Sequence, residues 1–208
     1  MAISQSVVET VIKSGRDDLI RDLMRTELKR LRDTRRYYQK KEAQLPSDVD
    51  YDTFVKMKAR ENLIQEQINQ LVTARKNLKT KHTKATSKML DVAKQQKALS
   101  KDSKAFETYA TQFDDNVNQT FNSMFSKGQF ILSSSEMQKF DKIFNKYGIG
   151  ITETIKKNIA KKYKHWSSDL AYQIISEWVA NAESMLENVS EADKKQFNEY
   201  LYTVKGRV

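Results

Sequence analysis

Residues 51–104 read YDTFVKMKARENLIQEQINQLVTARKNLKTKHTKATSKMLDVAKQQKALSKDSK, without a glycine or a proline. Met57, Ile64, Leu71, Leu78, Ala85, Val92 and Leu99 stand seven residues apart. A heptad row of this kind predicts one long helix whose apolar seam packs against a neighbouring subunit. Such a helix would be about 80 Å long at 1.5 Å per residue. No compact domain of this size needs that length, so the stretch is expected to be an arm that reaches along something. Three positions before each seam residue stand Phe54, Glu61, Ile68, Arg75, His82, Met89 and Gln96. A self-sufficient coiled coil keeps both rows apolar; here one row packs on protein and the other sides face something wet or charged. A plain coiled coil is the competing reading.

The charge of the same stretch points to a partner. Arg75, Lys76, Lys79, Lys81, Lys84, Lys88, Lys94, Lys97, Lys101 and Lys104 are opposed only by Asp91 and Asp102, a local net of +8. An ordinary exposed helix mixes signs at i,i+4 spacing. These cations also spread around much of the circumference, which would attract a polyanion on more than one side. Thr73, Thr80, Thr83, Thr86, Ser87, Gln95 and Gln96 can add hydroxyl and amide contacts to phosphates. Nothing in the stretch resembles base reading, so binding would be independent of sequence. The alternative is a solvated helix face balanced by a protein partner.

The halves of the chain differ in kind. Residues 1–104 hold 24 Lys/Arg against 14 Asp/Glu, whereas residues 105–208 hold 13 of each. The whole formal charge of +10 therefore lies in the first half. Of the 20 aromatic residues, 16 lie after residue 104. Aromatic side chains dominate core burial, so the second half is expected to form a globule and the first half an extended arm. The expected domains are 1–104 and 105–208, in an all-α fold of a helix–turn–helix arm followed by a helical bundle.

Within the arm, residues 4–14 predict a short helix ended by Gly15. From Arg16 to Gln44, Leu19, Ile20, Leu23, Met24, Leu28, Leu31 and Tyr38 recur at helical spacing and mark an amphipathic helix. Its polar face offers Arg30, Arg32, Arg35, Arg36 and Lys40 as further candidate DNA contacts. Pro46 breaks the helix, and Ser47, Asp48 or Asp50 can cap the next one.

After residue 104, Phe106, Tyr109, Ala110, Phe113, Val117 and Phe121 form a helical stripe. Gly128 ends it, and Phe130, Ile131 and Leu132 make a short apolar crossing. Ser133 with Glu136 has capping-box spacing, Gly148 stands where a helix ends, and Thr152 can cap the next helix. Ile155, Ile159, Tyr163, Trp166, Leu170, Ile174 and Trp178 line one side of that helix. Ser190 with Asp193 opens a last helix with Phe197. Short connections between such helices make a bundle.

The chain has no cysteine, excluding disulfides and thiol chemistry. It has no apolar run long enough to span a bilayer and no signal-peptide pattern, so assembly without translocation is expected. His82 and His165 are the only histidines; no third ligand accompanies them, and no metal or cofactor is expected. The residue three before His165 is Lys162, which rules out a Glu-x-x-His iron ligand pair. There is no phosphate loop and no nucleophile elbow. The sequence offers no catalytic constellation and is expected to be no enzyme. Lys156, Lys157, Lys161, Lys162 and Lys164 form a smaller basic cluster, either a membrane or nucleic-acid face or the ordinary outside of a bundle.

A basic helical arm followed by a neutral, aromatic-rich bundle resembles the major capsid proteins of filamentous and rod-shaped archaeal DNA viruses, the lipothrixviruses and rudiviruses. The likeness is architectural over most of the chain. It is closest at Asn145-Lys146-Tyr147-Gly148-Ile149-Gly150-Ile151-Thr152, leading into the helix towards Trp166. The resemblance implies a structural protein whose N-terminal helices enclose double-stranded DNA, held in A-form, while C-terminal bundles form the outside of a helical filament. It further implies assembly with itself or a homologous capsid protein, an outer membrane envelope in some virions, and location in the virion and, during assembly, the host cytoplasm. The chain departs from proteins of hot hosts in being rich in Asn and Gln. Two other readings stand beside it: a cytoplasmic coiled-coil adaptor or stalk with no nucleic acid, and a nucleoid-type DNA-compacting protein.

Overall fold

The computed structural model describes residues 3–46, 48–96, 103–126, 133–148, 150–163, 187 and 189–205. They form α1 (Gln5–Lys13), α2 (Asp17–Ala43), α3 (Tyr51–Asn77), α4 (His82–Gln95), α5 (Lys104–Ser126), α6 (Ser134–Asn145), α7 (Ile151–Lys162) and α8 (Glu191–Lys205). The fold is all-α, with no strand among the described residues. No helix among them is long and apolar enough to cross a membrane. The chain divides into two compact units, Met1–Phe113 and Asp114–Val208, so the division falls inside α5 and beyond the 104/105 boundary expected.

The helix expected to run unbroken from Tyr51 to Lys104 does not; this is the main correction. α3 stops at Asn77, and its carbonyl accepts from both Thr80 N, at 3.2 Å, and Lys81 N, at 2.7 Å. Lys81 then leaves the helical region at φ −141°, ψ 56°, and α4 starts at His82. Neither glycine nor proline marks this turn. α4 folds back to pack on α3, so an 80 Å rod is not formed.

The heptad row concealed the turn because it keeps its phase across it. Ile64, Leu71 and Leu78 before the turn, and Ala85 and Val92 after it, are all buried in one core with Ile20, Met24, Leu28 and Leu31 of α2. Each large aliphatic side chain so buried stabilises the unit by about 1.5–3 kcal/mol. The small Ala74 and Ala85, both buried, keep the space between α3 and α4 narrow. Met57 is half-buried and Leu99 lies outside the described residues. The seam assigned to packing between subunits thus closes a core within one chain.

Other expectations for the first unit hold. Gly15 ends α1 at φ +64°, and Asp50 Oδ1 caps α3 by accepting from Thr53 N at 2.8 Å; Ser4, expected inside α1, is instead its cap. The first turns of α5 also belong to this unit, burying Phe106, Ala110 and Phe113. Asn62 donates to the Tyr109 hydroxyl at 2.7 Å, and the Arg60 guanidinium lies 3.9 Å from the Phe106 ring centroid.

In the second unit, Ser133 and Glu136 make the full capping box of α6, and Gly148 ends its turn at φ +73°. α7 begins differently from expectation. Gly150 is its N-cap residue, and the Asp141 carboxylate of α6 accepts from Thr152 N at 3.1 Å. Phe140 and Phe144 meet Phe197 of α8 edge-to-face at 5.2 and 5.1 Å. Gly128 and residues 130–132, 164–166, 170, 174 and 178 of the expected bundle stripe lie outside the described residues.

Candidate nucleic-acid interface

A cation can attract a partner only if its own protein has not neutralised it. The first unit carries 24 Lys/Arg against 15 Asp/Glu, and the second carries 13 against 12. Several cations of the first unit are matched locally. Lys58 is buried between Glu42, at 2.9 Å, and Glu61, at 2.6 Å. Burial pushes the Glu61 carboxyl up, but the hydrogen bond and charge of Lys58, the hydrogen bond from Gln39 and the charge of Arg35 together outweigh this and hold it below its ordinary value. Lys56 pairs with Asp52 at 2.9 Å.

Two of the expected DNA contacts are engaged within the unit. Arg30 is half-buried and fastened to the buried Glu27, with its Nε 2.8 Å from Glu27 Oε2. It also donates to Gln96 Oε1, and Gln96 donates to the fully buried Gln67 at 3.3 Å. This chain of hydrogen bonds joins α2, α4 and α3 through the interior. Arg35 is half-buried, 3.6 Å from Glu61. At helical pitch both arginines turn toward the neighbouring helices, which composition alone does not reveal.

The remaining candidates reach solvent. Arg32, Lys40, Arg75, Lys76, Lys79, Lys81, Lys84, Lys94 and Lys104 are exposed, Lys88 is half-buried, and none has a carboxylate partner among the described residues. Arg36 is exposed, with Asp33 3.7 Å away. A surface pair of this geometry is worth little and leaves the guanidinium available. Lys97 and Lys101 lie outside the described residues.

Two groupings result. On α2, Arg25, Lys29, Arg32, Arg36 and Lys40 are all exposed and recur every three or four residues. They occupy roughly 80° of the circumference over about 22 Å. Arg25 and Lys29, on the polar face of this helix in the sequence, were not among the expected DNA contacts. Their signal was present, because both continue the spacing of Arg32, Arg36 and Lys40 towards the N-terminus. Tyr37 stands exposed beside this row, with Lys41 Nζ 5.0 Å from its ring centroid.

The second grouping surrounds the α3–α4 turn and the outer side of α4. Arg75, Lys76 and Lys79 lead into Lys81, Lys84, Lys88 and Lys94, with Asp91 as the acid among them. Lys88, Asp91 and Lys94 line a groove of about 550 Å³ between α3 and α4, together with Gln70 and Gln95. α4 has no acid in its first turn and no side-chain cap. The Asp17 carboxylate of α2, 3.1 Å from His82, partly offsets the positive dipole end there.

The smaller lysine cluster of α7 is partly matched. Lys157 pairs with Glu153 at 3.1 Å and Lys156 lies 5.3 Å from the Phe121 ring centroid, while Lys161 and Lys162 are exposed. Lys164 and His165 lie outside the described residues. His82 is 3.1 Å from Asp17.

No protein-family model matches the chain, and no curated protein and no solved structure matches it.

Proposed function

We propose that this chain is a structural DNA-packaging protein whose first unit binds duplex DNA through its phosphates, without reading sequence. The observation that carries the reading is the set of solvent-facing, unmatched Lys and Arg side chains on α2, the α3–α4 turn and α4. Of the acids of the same unit, Glu27 is buried and Glu42 and Glu61 are engaged by Lys58, while Asp33, Asp52 and Asp91 share the surface with the cations. Five cations along about 22 Å of α2 face a duplex that carries roughly 13 phosphate charges over that length. Lysine and arginine supply contacts of this kind with orientation but no base preference.

The specific form we propose is the one the resemblance implies, the major capsid protein of a helical filamentous virion. In this form the neutral second unit forms contacts between subunits. The nucleoid-type reading shares the same chemistry, and the compactness of the first unit favours it over a wrapped arm. A stalk or adaptor needs a rod, and the fold-back of α4 on α3 removes the one between residues 51 and 104. Mixing the purified full chain with linear duplex DNA and viewing the product by electron microscopy tests the proposal. A regular tube of constant diameter supports the capsid form, irregular condensates support compaction, and bare DNA contradicts both.

A further inference from the structure

We infer that the first unit holds duplex DNA on two opposite faces at once and so bridges two duplex segments. The inference rests on the DNA-packaging reading above. It comes from the order of the helices around the core. α1 packs on α2, α2 on α3, α3 on α4, and α4 back on α1. Four helices in a closed ring place α2 and α4 on a diagonal. The two run in the same direction, since His82 at the start of α4 meets Asp17 at the start of α2, and Gln96 just after α4 meets Arg30 farther along α2.

On a diagonal, the outward faces of α2 and α4 point away from each other. Two rows of exposed or half-exposed cations lie on those faces, interrupted by Asp22 and Asp33 on α2 and by Asp91 on α4. On α2, Arg25, Lys29, Arg32, Arg36 and Lys40 sit roughly 130° around the axis from the buried Ile20, Met24, Leu28 and Leu31. On α4, Lys84, Lys88 and Lys94 centre roughly 140° from the buried Ala85, Met89, Val92 and Ala93. Lys79 and Lys81 extend this second row at the turn. Each row is about 20 Å long, and two helix diameters of about 10 Å each separate them. Duplex DNA, with a persistence length near 150 base pairs, does not bend around so small a body without a large cost. One duplex segment can therefore engage only one row, and the other row remains open to a second.

The test uses the full chain. Protein is added below saturation to a short duplex held on beads, and a fluorescent duplex of the same length is then supplied. The wild type is expected to capture about one second duplex per bound chain, a stoichiometry that needs no substitution to be informative. Two variants divide the rows. One carries Arg25→Gln, Lys29→Gln, Arg32→Gln, Arg36→Gln and Lys40→Gln; the other carries Lys79→Gln, Lys81→Gln, Lys84→Gln, Lys88→Gln and Lys94→Gln. Glutamine resembles lysine and arginine in helix propensity, and circular dichroism checks the fold. Each variant is expected to bind the first duplex with a log–log salt slope of about −4.5, for five phosphates, and to capture no second one. A wild type that binds one duplex and captures no other overturns the inference and leaves the packaging reading standing. A variant that still bridges also overturns it, because bridging then comes from self-association. A wild type with no salt-sensitive binding removes the inference together with the reading beneath it.

Discussion

His82 Nε2 lies 3.1 Å from Asp17 Oδ1, joining the first turn of α4 to the first turn of α2. Both side chains are nearly half exposed, so water competes for the pair and its worth is below about 1 kcal/mol. Leu78, beside the same corner, is 1% exposed and packs in the core of the first unit. The fold-back of α4 on α3 therefore depends on apolar burial more than on the ion pair. In urea unfolding, Leu78→Ala is expected to cost about 3 kcal/mol and His82→Ala less than about 1 kcal/mol. Equal costs would assign the corner to the ion pair.

Arg30 and Arg32 are two residues apart in sequence and differ in work. Arg30 neutralises the buried Glu27, and Arg32 is exposed with no carboxylate partner. Arg30→Ala leaves a buried carboxylate unpaired and should destabilise the first unit by about 2–3 kcal/mol. Arg32→Ala should change stability by less than about 0.5 kcal/mol. The order reverses for duplex DNA, where Arg32→Ala lowers the salt slope by about one contact and Arg30→Ala leaves it unchanged in the folded protein. A salt slope that responds to Arg30 would place that guanidinium on the DNA.

Much of this architecture was legible from spacing. The helix at 17–43, the caps at Asp50 and Ser133, and the stops at Gly15 and Gly148 follow from local rules, and each is present. The turn at 78–81 was not legible. It contains none of the residues that oblige a chain to turn, and a four-residue interruption leaves a heptad row in phase. Only the choice of partner for that row, another subunit or the chain itself, decides between a rod and a hairpin, and spacing is silent on it. The same limit applied to the cations. A list of lysines and arginines does not say that Arg30 and Arg35 face inward while Arg25 and Lys29 complete a row outside.

In the second unit, Tyr147 donates to Asp193 Oδ2 at 2.6 Å and Lys146 Nζ lies 3.0 Å from Oδ1, tying the end of α6 to the start of α8. The Tyr147 hydrogen bond, then that from Lys146, holds the Asp193 carboxyl below its ordinary value. A depressed folded pKa means that the ionised form stabilises the fold above the unfolded value near 4. That stabilisation is lost as pH falls through the folded pKa. The midpoint of thermal unfolding should fall on acidification below about pH 4, and Asp193→Asn should flatten that fall. An unchanged acid limb in the variant would show that Asp193 contributes nothing to it.

Lys79, Lys84 and Lys88 lie at the α3–α4 turn and on the outer side of α4 and have no carboxylate partner among the described residues. Changed together to Glu, they reverse the sign of that face while the buried row behind it is untouched. The variant is expected to keep its helical circular dichroism and to lose DNA-dependent assembly in pelleting assays. Loss of helical signal would show instead that these lysines hold the fold.

If the exposed cations of α2 and α4 hold duplex phosphates, binding must weaken as salt is raised. Affinity of the full chain for a duplex of arbitrary sequence is measured as salt is raised. The account predicts a linear fall of log K with log salt, with a slope of about −4 to −9 for five to ten contacts, and the same slope on an unrelated sequence. Affinity that is absent, or that does not change with salt, would contradict it.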